Sequence, residues 1–149
     1  MRRLRVGAII VVEDKLVTMY REYDNRKYYT FPGGGIEDYE SEVECVIREV
    51  KEEFGISVAP IEKLYDYENG ISKESFYLCA WLTGKFGTGT GEEFQNKKYG
   101  MYKPTLIKIK DIPSLPLMPK EIANKFYNDY KLNPKKFEDN KVIAGCLAK

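Results

Sequence analysis

The sequence predicts an α/β domain, and three observations point that way. The first 31 residues are mostly β in pattern, an amphipathic helix follows a run of glycines, and further strand-like segments lead to a second helix beginning about Pro119. With 149 residues, 43% hydrophobic and 13% aromatic, the chain is long enough to bury a sizeable core in one domain.

The opening "MRRLRVGAIIVVEDK" places arginines before an apolar run, as a secretory signal does. The run is short, Glu13 and Asp14 follow at once, and no small-residue cleavage site appears, so it reads as a buried strand. Glu13-Asp14-Lys15 then turns the chain into "LVTMYRE", and "YYTF" leads into Pro32 and the glycines. Ser41 and Glu44 form a capping-box pattern at the start of the helix, and Gly55 supplies its stop, because glycine accepts the left-handed conformation common there. Val43, Val46, Ile47, Val50 and Phe54 recur at helical spacing and are expected to face the sheet.

Beyond the helix, "IEKLYDYE" and "SFYLCAWLTG" read as antiparallel strands joined through "NGISKE". The glycine-broken "KFGTGTGEEFQNKKYGMY" reads as a long loop, "TLIKIKDI" as a final strand, and Pro119 to Tyr130 as a second helix. Residues 1–130 are thus expected to form a single domain. The lysine-rich tail, 131–149, is expected either to dock on it or to be disordered.

Charge and cysteine content exclude several classes. Lys plus Arg number 24 against 23 Asp plus Glu, so no global basic field exists to hold a long nucleic acid. Cys45, Cys79 and Cys146 are odd in number and include no CxxC pair, which suits a reducing cytoplasm and neither a disulfide framework nor a zinc cluster. No segment reads as a membrane anchor.

The unusual feature is the acidity of the first helix. At 3.6 residues per turn Glu49, Glu52 and Glu53 share an arc about 100° wide beside the apolar stripe. Like-charged neighbours at this spacing cost a few tenths of a kcal/mol per pair, roughly, on an exposed helix. A hard divalent cation such as Mg²⁺, which prefers oxygen ligands, offsets that repulsion. Taken alone, such a cluster is more often a solvated face, and glycines after a proline are more often a plain turn.

The spacing changes the balance: Gly34, five residues, Glu40, seven residues, then Arg48-Glu49-Val50-Lys51-Glu52-Glu53-Phe54-Gly55-Ile56. This resembles the Nudix box, G-x5-E-x7-R-E-U-x-E-E-x-G-U with U apolar, at every defined position. "FPGGG" is similar to the family's usual lead-in, and "GEEFQNKKYGMYKP" resembles the acidic, aromatic loop that many members place before the last core strand. The resemblance, to the MutT-like Nudix hydrolases, implies a central mixed β-sheet sandwiched between α-helices. It implies Mg²⁺ or Mn²⁺ on Glu49, Glu52 and Glu53, with the backbone carbonyl of Gly33 or Gly34, and a supporting Arg48 that orients Glu40 or Glu49.

The implied reaction is hydrolysis of a diphosphate linkage in a small nucleotide, a nucleoside diphosphate joined to another moiety. Glu52 is the favoured acceptor of the water proton, with Glu49 and the loop residues Glu92 and Glu93 as rivals. Arg5, Arg21 and Arg26 on the opening strands are candidate phosphate clamps, although strand-edge arginines more often only solubilise. Tyr99 is the preferred base-stacking candidate among Tyr28, Tyr29, Phe31, Tyr65 and Tyr67, which otherwise read as packing residues. Many relatives are dimers, which admits a homodimer without fixing an interface.

Three other functions are compatible with parts of this pattern. An isopentenyl diphosphate isomerase uses a related fold with histidine ligands, and this chain has no histidine. An RNA 5′-pyrophosphohydrolase shares the box and would need a basic groove, for which Lys97, Lys98 and Lys103 are the candidates. A non-catalytic nucleotide-sensing module is expected to lose box carboxylates, and none is lost here.

Overall fold

The apolar opening run is a strand, β1 (Arg3–Val12), in which Val6, Ala8, Ile9 and Ile10 are fully buried. The structure, a computed structural model, describes residues 3–86, 95–96 and 100–138. After β1 come β2 (Lys15–Tyr23), β3 (Arg26–Thr30), β4 (Gly33–Gly35), α1 (Glu42–Phe54), β5 (Ile56–Glu68) and β6 (Ser72–Gly84). The two-residue β7 (Gln95–Asn96), β8 (Gly100–Lys108), a 3₁₀ turn (Ile109–Ser114), β9 (Leu117–Met118), α2 (Lys120–Leu132) and α3 (Pro134–Glu138) complete the described chain.

The sheet is mixed. β1 lies parallel to β6 from Arg3↔Ser72 to Ile10↔Cys79, and β5 and β6 form a long antiparallel pair. On its other edge β1 meets β2 only at the hairpin end, Val11↔Leu16 and Val12↔Lys15. Its first half is thereby left to pair with the glycine strand β4, from Arg5↔Gly35 to Gly7↔Gly33. β2 instead takes β3 and β8 as its antiparallel neighbours.

Period-two alternation sends the side chains of this sheet to two cores. On one face Val6, Ala8, Ile10 and Val17 pack with Cys45, Val46, Val50 and Phe54 of α1. On the other, Ile9, Leu16, Phe76 and Leu78 pack with Ile122, Ala123 and Phe126 of α2 and Phe137 of α3. The result is an α/β sandwich with helices on both faces of a mixed sheet.

Three local expectations are corrected. Val43 and Ile47 are 42% and 37% exposed, and Cys45 takes their place in the buried stripe. The helix is rolled so that the row Cys45, Glu49, Glu53 addresses β4: Cys45 Sγ lies 3.4 Å from Gly35 O and Glu53 Oε1 3.2 Å from Gly33 N. The segment "TLIKIKDI" is a strand only to Lys108, and its Ile109 and Ile112 are buried three apart in the 3₁₀ turn that contains Pro113. β8 also begins earlier, at Gly100, because Met101 and Tyr102 of the expected loop pair with Glu22 and Arg21.

The second helix runs past Tyr130 to Leu132, and the first part of the expected tail is packed. Phe137 is 1% exposed and stands edge-on to Phe126, with ring centroids 5.1 Å apart. Residues 139–149 lie outside the described residues.

Candidate active site

The site starts with how α1 is seated. Ser41 Oγ accepts from the Glu44 N–H at 3.1 Å, Glu44 Oε1 accepts from the Ser41 N–H at 2.9 Å, and Gly55 closes the helix in the left-handed conformation at φ 76°. Both ends are therefore held, which fixes where the helix starts and stops.

Arg48 gathers the outer carboxylates. Its Nε and Nη2 donate to the two oxygens of Glu40 at 2.5 and 3.0 Å, a bidentate pairing, while Nη1 donates to Glu49 at 3.2 Å and to Glu52 at 2.9 Å. Nη2 also donates to the Gly35 carbonyl at 3.3 Å, so the guanidinium ties α1, the turn before it and β4 together. The Arg48 hydrogen bonds hold the Glu40 carboxyl well below its ordinary range, at about 2.

Glu53 lies inside this shell. Its Oε1 accepts from the Gly33 N–H at 3.2 Å; burial first, and the neighbouring Glu49 charge second, push its carboxyl up to about 8. Glu49 is also raised, mainly by burial, against the pull of Arg48. A side chain at Gly34 would run into the Glu49 carboxylate, so only glycine admits Glu49 this close to the strand.

As the side chains stand, Glu52 is half exposed and committed to Arg48, and no group of three acidic, histidine or cysteine side chains converges as a metal cage among the described residues. The donors nonetheless fit a hard divalent cation. Glu53 and Glu49 are largely buried carboxylates that repel each other, and their oxygens are ligands a cation of charge +2 would stabilise where burial alone disfavours the charge.

A cavity of about 620 Å³ opens beside Glu53 and Gly33 and brings Arg5, Arg21 and Arg26 to the same space. Arg21 is stacked 4.2 Å over the Tyr102 ring, and its buried Nε has no hydrogen-bond partner among the described residues. Arg26 lies 5.4 Å from the centre of Tyr28, and Arg5 Nε is 3.8 Å from Glu74 Oε2. The charges of Arg21 and Arg5 both act to lower the Glu53 carboxyl, which places them in electrostatic reach of it.

Of the remaining candidates, Tyr28, Phe31 and Tyr67 line this cavity, and Tyr29 packs on Tyr20. Tyr65 donates instead to Asp129 of α2 at 2.5 Å. Glu92, Glu93, Tyr99, Lys97 and Lys98 lie outside the described residues, and Lys103 is an exposed residue of β8. Sequence reasoning missed Tyr102 and Glu74. The signal for Glu74 was present: it falls in phase with Phe76 and Leu78 on β6, where an acid is out of place.

A model of the NUDIX domain matches residues 1–105. A CTP pyrophosphohydrolase of Escherichia coli (strain K12) is 31% identical over 93 residues, 60% of this chain and 69% of that protein. A solved MutT structure, from work on Aliivibrio salmonicida and Vibrio cholerae, superposes with a TM-score of 0.69 at 21% identity, covering 87% of this chain and 99% of the other. An ADP-ribose pyrophosphatase of Streptococcus suis gives 0.60 at 24% identity, over 79% and 81%. The chain belongs to the Nudix family of hydrolases, whose members act on nucleoside diphosphate derivatives. Among the described residues no helix is long and apolar enough to cross a membrane.

Proposed function

We propose that this chain hydrolyses a diphosphate linkage in a small nucleotide, with Mg²⁺ or Mn²⁺ held on Glu49, Glu52 and Glu53 and the carbonyl of Gly33 or Gly34. The observation that carries the reading is the shared cavity, in which the Glu53 carboxyl meets Arg5, Arg21 and Arg26. Arginines recruit phosphate and carboxylates repel it, so an acid at the same wall is productive only with a cation between it and the anion.

A bound Mg²⁺ or Mn²⁺ supplies Lewis-acid neutralisation of phosphate charge and makes water a stronger acid. The chain's own groups do the rest. Arg21, stacked on Tyr102 with an unsatisfied donor, binds a phosphate oxygen, and Arg26 meets the anion farther out. Arg48 holds Glu49 and Glu52 in position from behind. Glu52, the most exposed of these carboxylates, takes the proton of the attacking water; Glu49, Glu92 and Glu93 are the rivals for that role. The free, buried thiols of Cys45 and Cys79 suit work in a reducing cytoplasm.

The similarity to a CTP pyrophosphohydrolase makes nucleoside triphosphates the first compounds to try. Nucleotide sugars, dinucleoside polyphosphates, ADP-ribose, dinucleotide cofactors and 5′-triphosphorylated RNA complete the panel, each with Mg²⁺ or Mn²⁺. Cleavage of one small-nucleotide class between phosphorus atoms, abolished by chelation, is expected. Cleavage of the RNA alone would replace the small nucleotide with an RNA end, and binding without cleavage would favour a sensing module.

A further inference from the structure

We propose that Glu74, held by Arg5, selects the nucleobase, favouring bases that carry an exocyclic amino group over those with a carbonyl in its place. The inference rests on the hydrolase reading above, since it assumes that the cavity receives a nucleotide.

Glu74 and Arg5 are register partners on the parallel strands β6 and β1, and both line the cavity. The Glu74 side chain is only 14% exposed, and its nearest cation, Arg5 Nε, stands at 3.8 Å, beyond hydrogen-bond range. Among the described residues nothing donates a hydrogen bond to this carboxylate. Burial accordingly pushes its pKa up, with Arg5 opposing. An acceptor on a cavity wall loses its water when a ligand enters, so a ligand bound against it is disfavoured unless it supplies donors.

The chemistry of the missing donor follows from charge. A phosphate is an acceptor and an anion, and Glu74 repels it, so the phosphates belong at the Arg21 and Glu53 end. Tyr67, the register partner of Glu74 on β5, lines the same cavity wall and offers aromatic surface to a flat ring. Beside a carboxylate that only accepts sits a guanidinium that only donates. That pair matches an edge where an amino group neighbours a ring nitrogen acceptor, as in cytosine and adenine. With the base held in the same orientation by its phosphates at the Arg21 end, uracil and hypoxanthine would turn a carbonyl oxygen to the carboxylate in place of the amino group. Ribose hydroxyls are the other donors a nucleotide offers, and the test separates them from the base.

Equilibrium binding of CMP, UMP, AMP, IMP and dCMP is measured by calorimetry on wild type and Glu74→Gln, with turnover of the matching triphosphates alongside. Wild type is expected to prefer CMP to UMP, or AMP to IMP, by about tenfold or more, and Glu74→Gln to erase that preference while leaving CMP and dCMP in the same ratio. No preference in wild type, or the same preference in Glu74→Gln, would overturn the proposal. A variant that changes only the CMP to dCMP ratio would assign Glu74 to the ribose and overturn it equally. Should Glu74→Gln not fold, Arg5→Lys provides the second test, since loss of the fork should weaken the same preference and an unchanged preference would overturn the assignment. Base selection in binding without turnover would defeat the hydrolase reading alone, and turnover without base selection would defeat this one alone.

Discussion

Glu53 is a carboxyl whose surroundings favour its proton, raised from 4.5 to about 8 by burial and by Glu49. Its contribution to stability is full below its ordinary value and is lost as pH rises through about 8. Glu40 has the opposite sign: depressed to about 2 by Arg48, it stabilises above 4.5 and ceases to as pH falls toward 2. The melting temperature of the metal-free protein is therefore expected to fall from pH 5 to pH 8, and Glu53→Gln should flatten that slope. Because Glu53 must lose its proton to act as a ligand, Mn²⁺ binding near pH 7 should release about one proton in wild type and fewer in Glu53→Gln, measured by calorimetry in buffers of different ionisation enthalpy. Arg48 touches three glutamates from behind and lines no part of the cavity, which makes it a positioning residue. Arg48→Lys should lower kcat about ten- to a hundredfold with little change in KM. A selective rise in KM would instead make it a substrate contact.

The helix α1 is the element on which the site depends, and its cap makes the dependence testable. Ser41→Ala removes one half of the capping box and should cost about 1 kcal/mol in urea unfolding. The cap, the Gly55 stop and the glutamate spacing were legible because each is local, set by residues within a few positions of one another. The roll of the helix was not. Val43 and Ile47 fit the apolar period as well as Cys45 does, and only the proximity of β4, a partner distant in sequence from the helix's far end, decides that the Cys45, Glu49, Glu53 row turns toward the glycines. The same limit explains β8, whose first residues look like loop in isolation and become strand only by pairing with β2.

At the scale of the molecule, the cavity is built from strands that the chain order keeps apart. Arg5 comes from β1, Arg21 from β2, Gly33 from β4, Glu53 from α1, Glu74 from β6 and Lys120 from the start of α2. Composition and periodicity identify such residues singly and cannot show their convergence, which follows from β1 pairing with β6 on one edge and β4 on the other. The α2 face also depends on what lies beyond the expected boundary at residue 130. Phe137 closes a ring cluster with Phe126 and Tyr130, and Phe137→Ala should cost about 3–5 kcal/mol, read as a shift in the urea midpoint. A neutral result would mean that residues 134–138 contribute little to the core.

Hydrolysis at the Glu53 wall is tested most directly by Mn²⁺-dependent turnover of the nucleotide panel by wild type and by Glu53→Gln, with circular dichroism confirming that both are folded. Product from at least one nucleotide is expected in wild type, with none after chelation and a loss of about tenfold or more in Glu53→Gln. Equal turnover by the two proteins would contradict the assignment of hydrolysis to the Glu53 wall of the arginine-lined cavity.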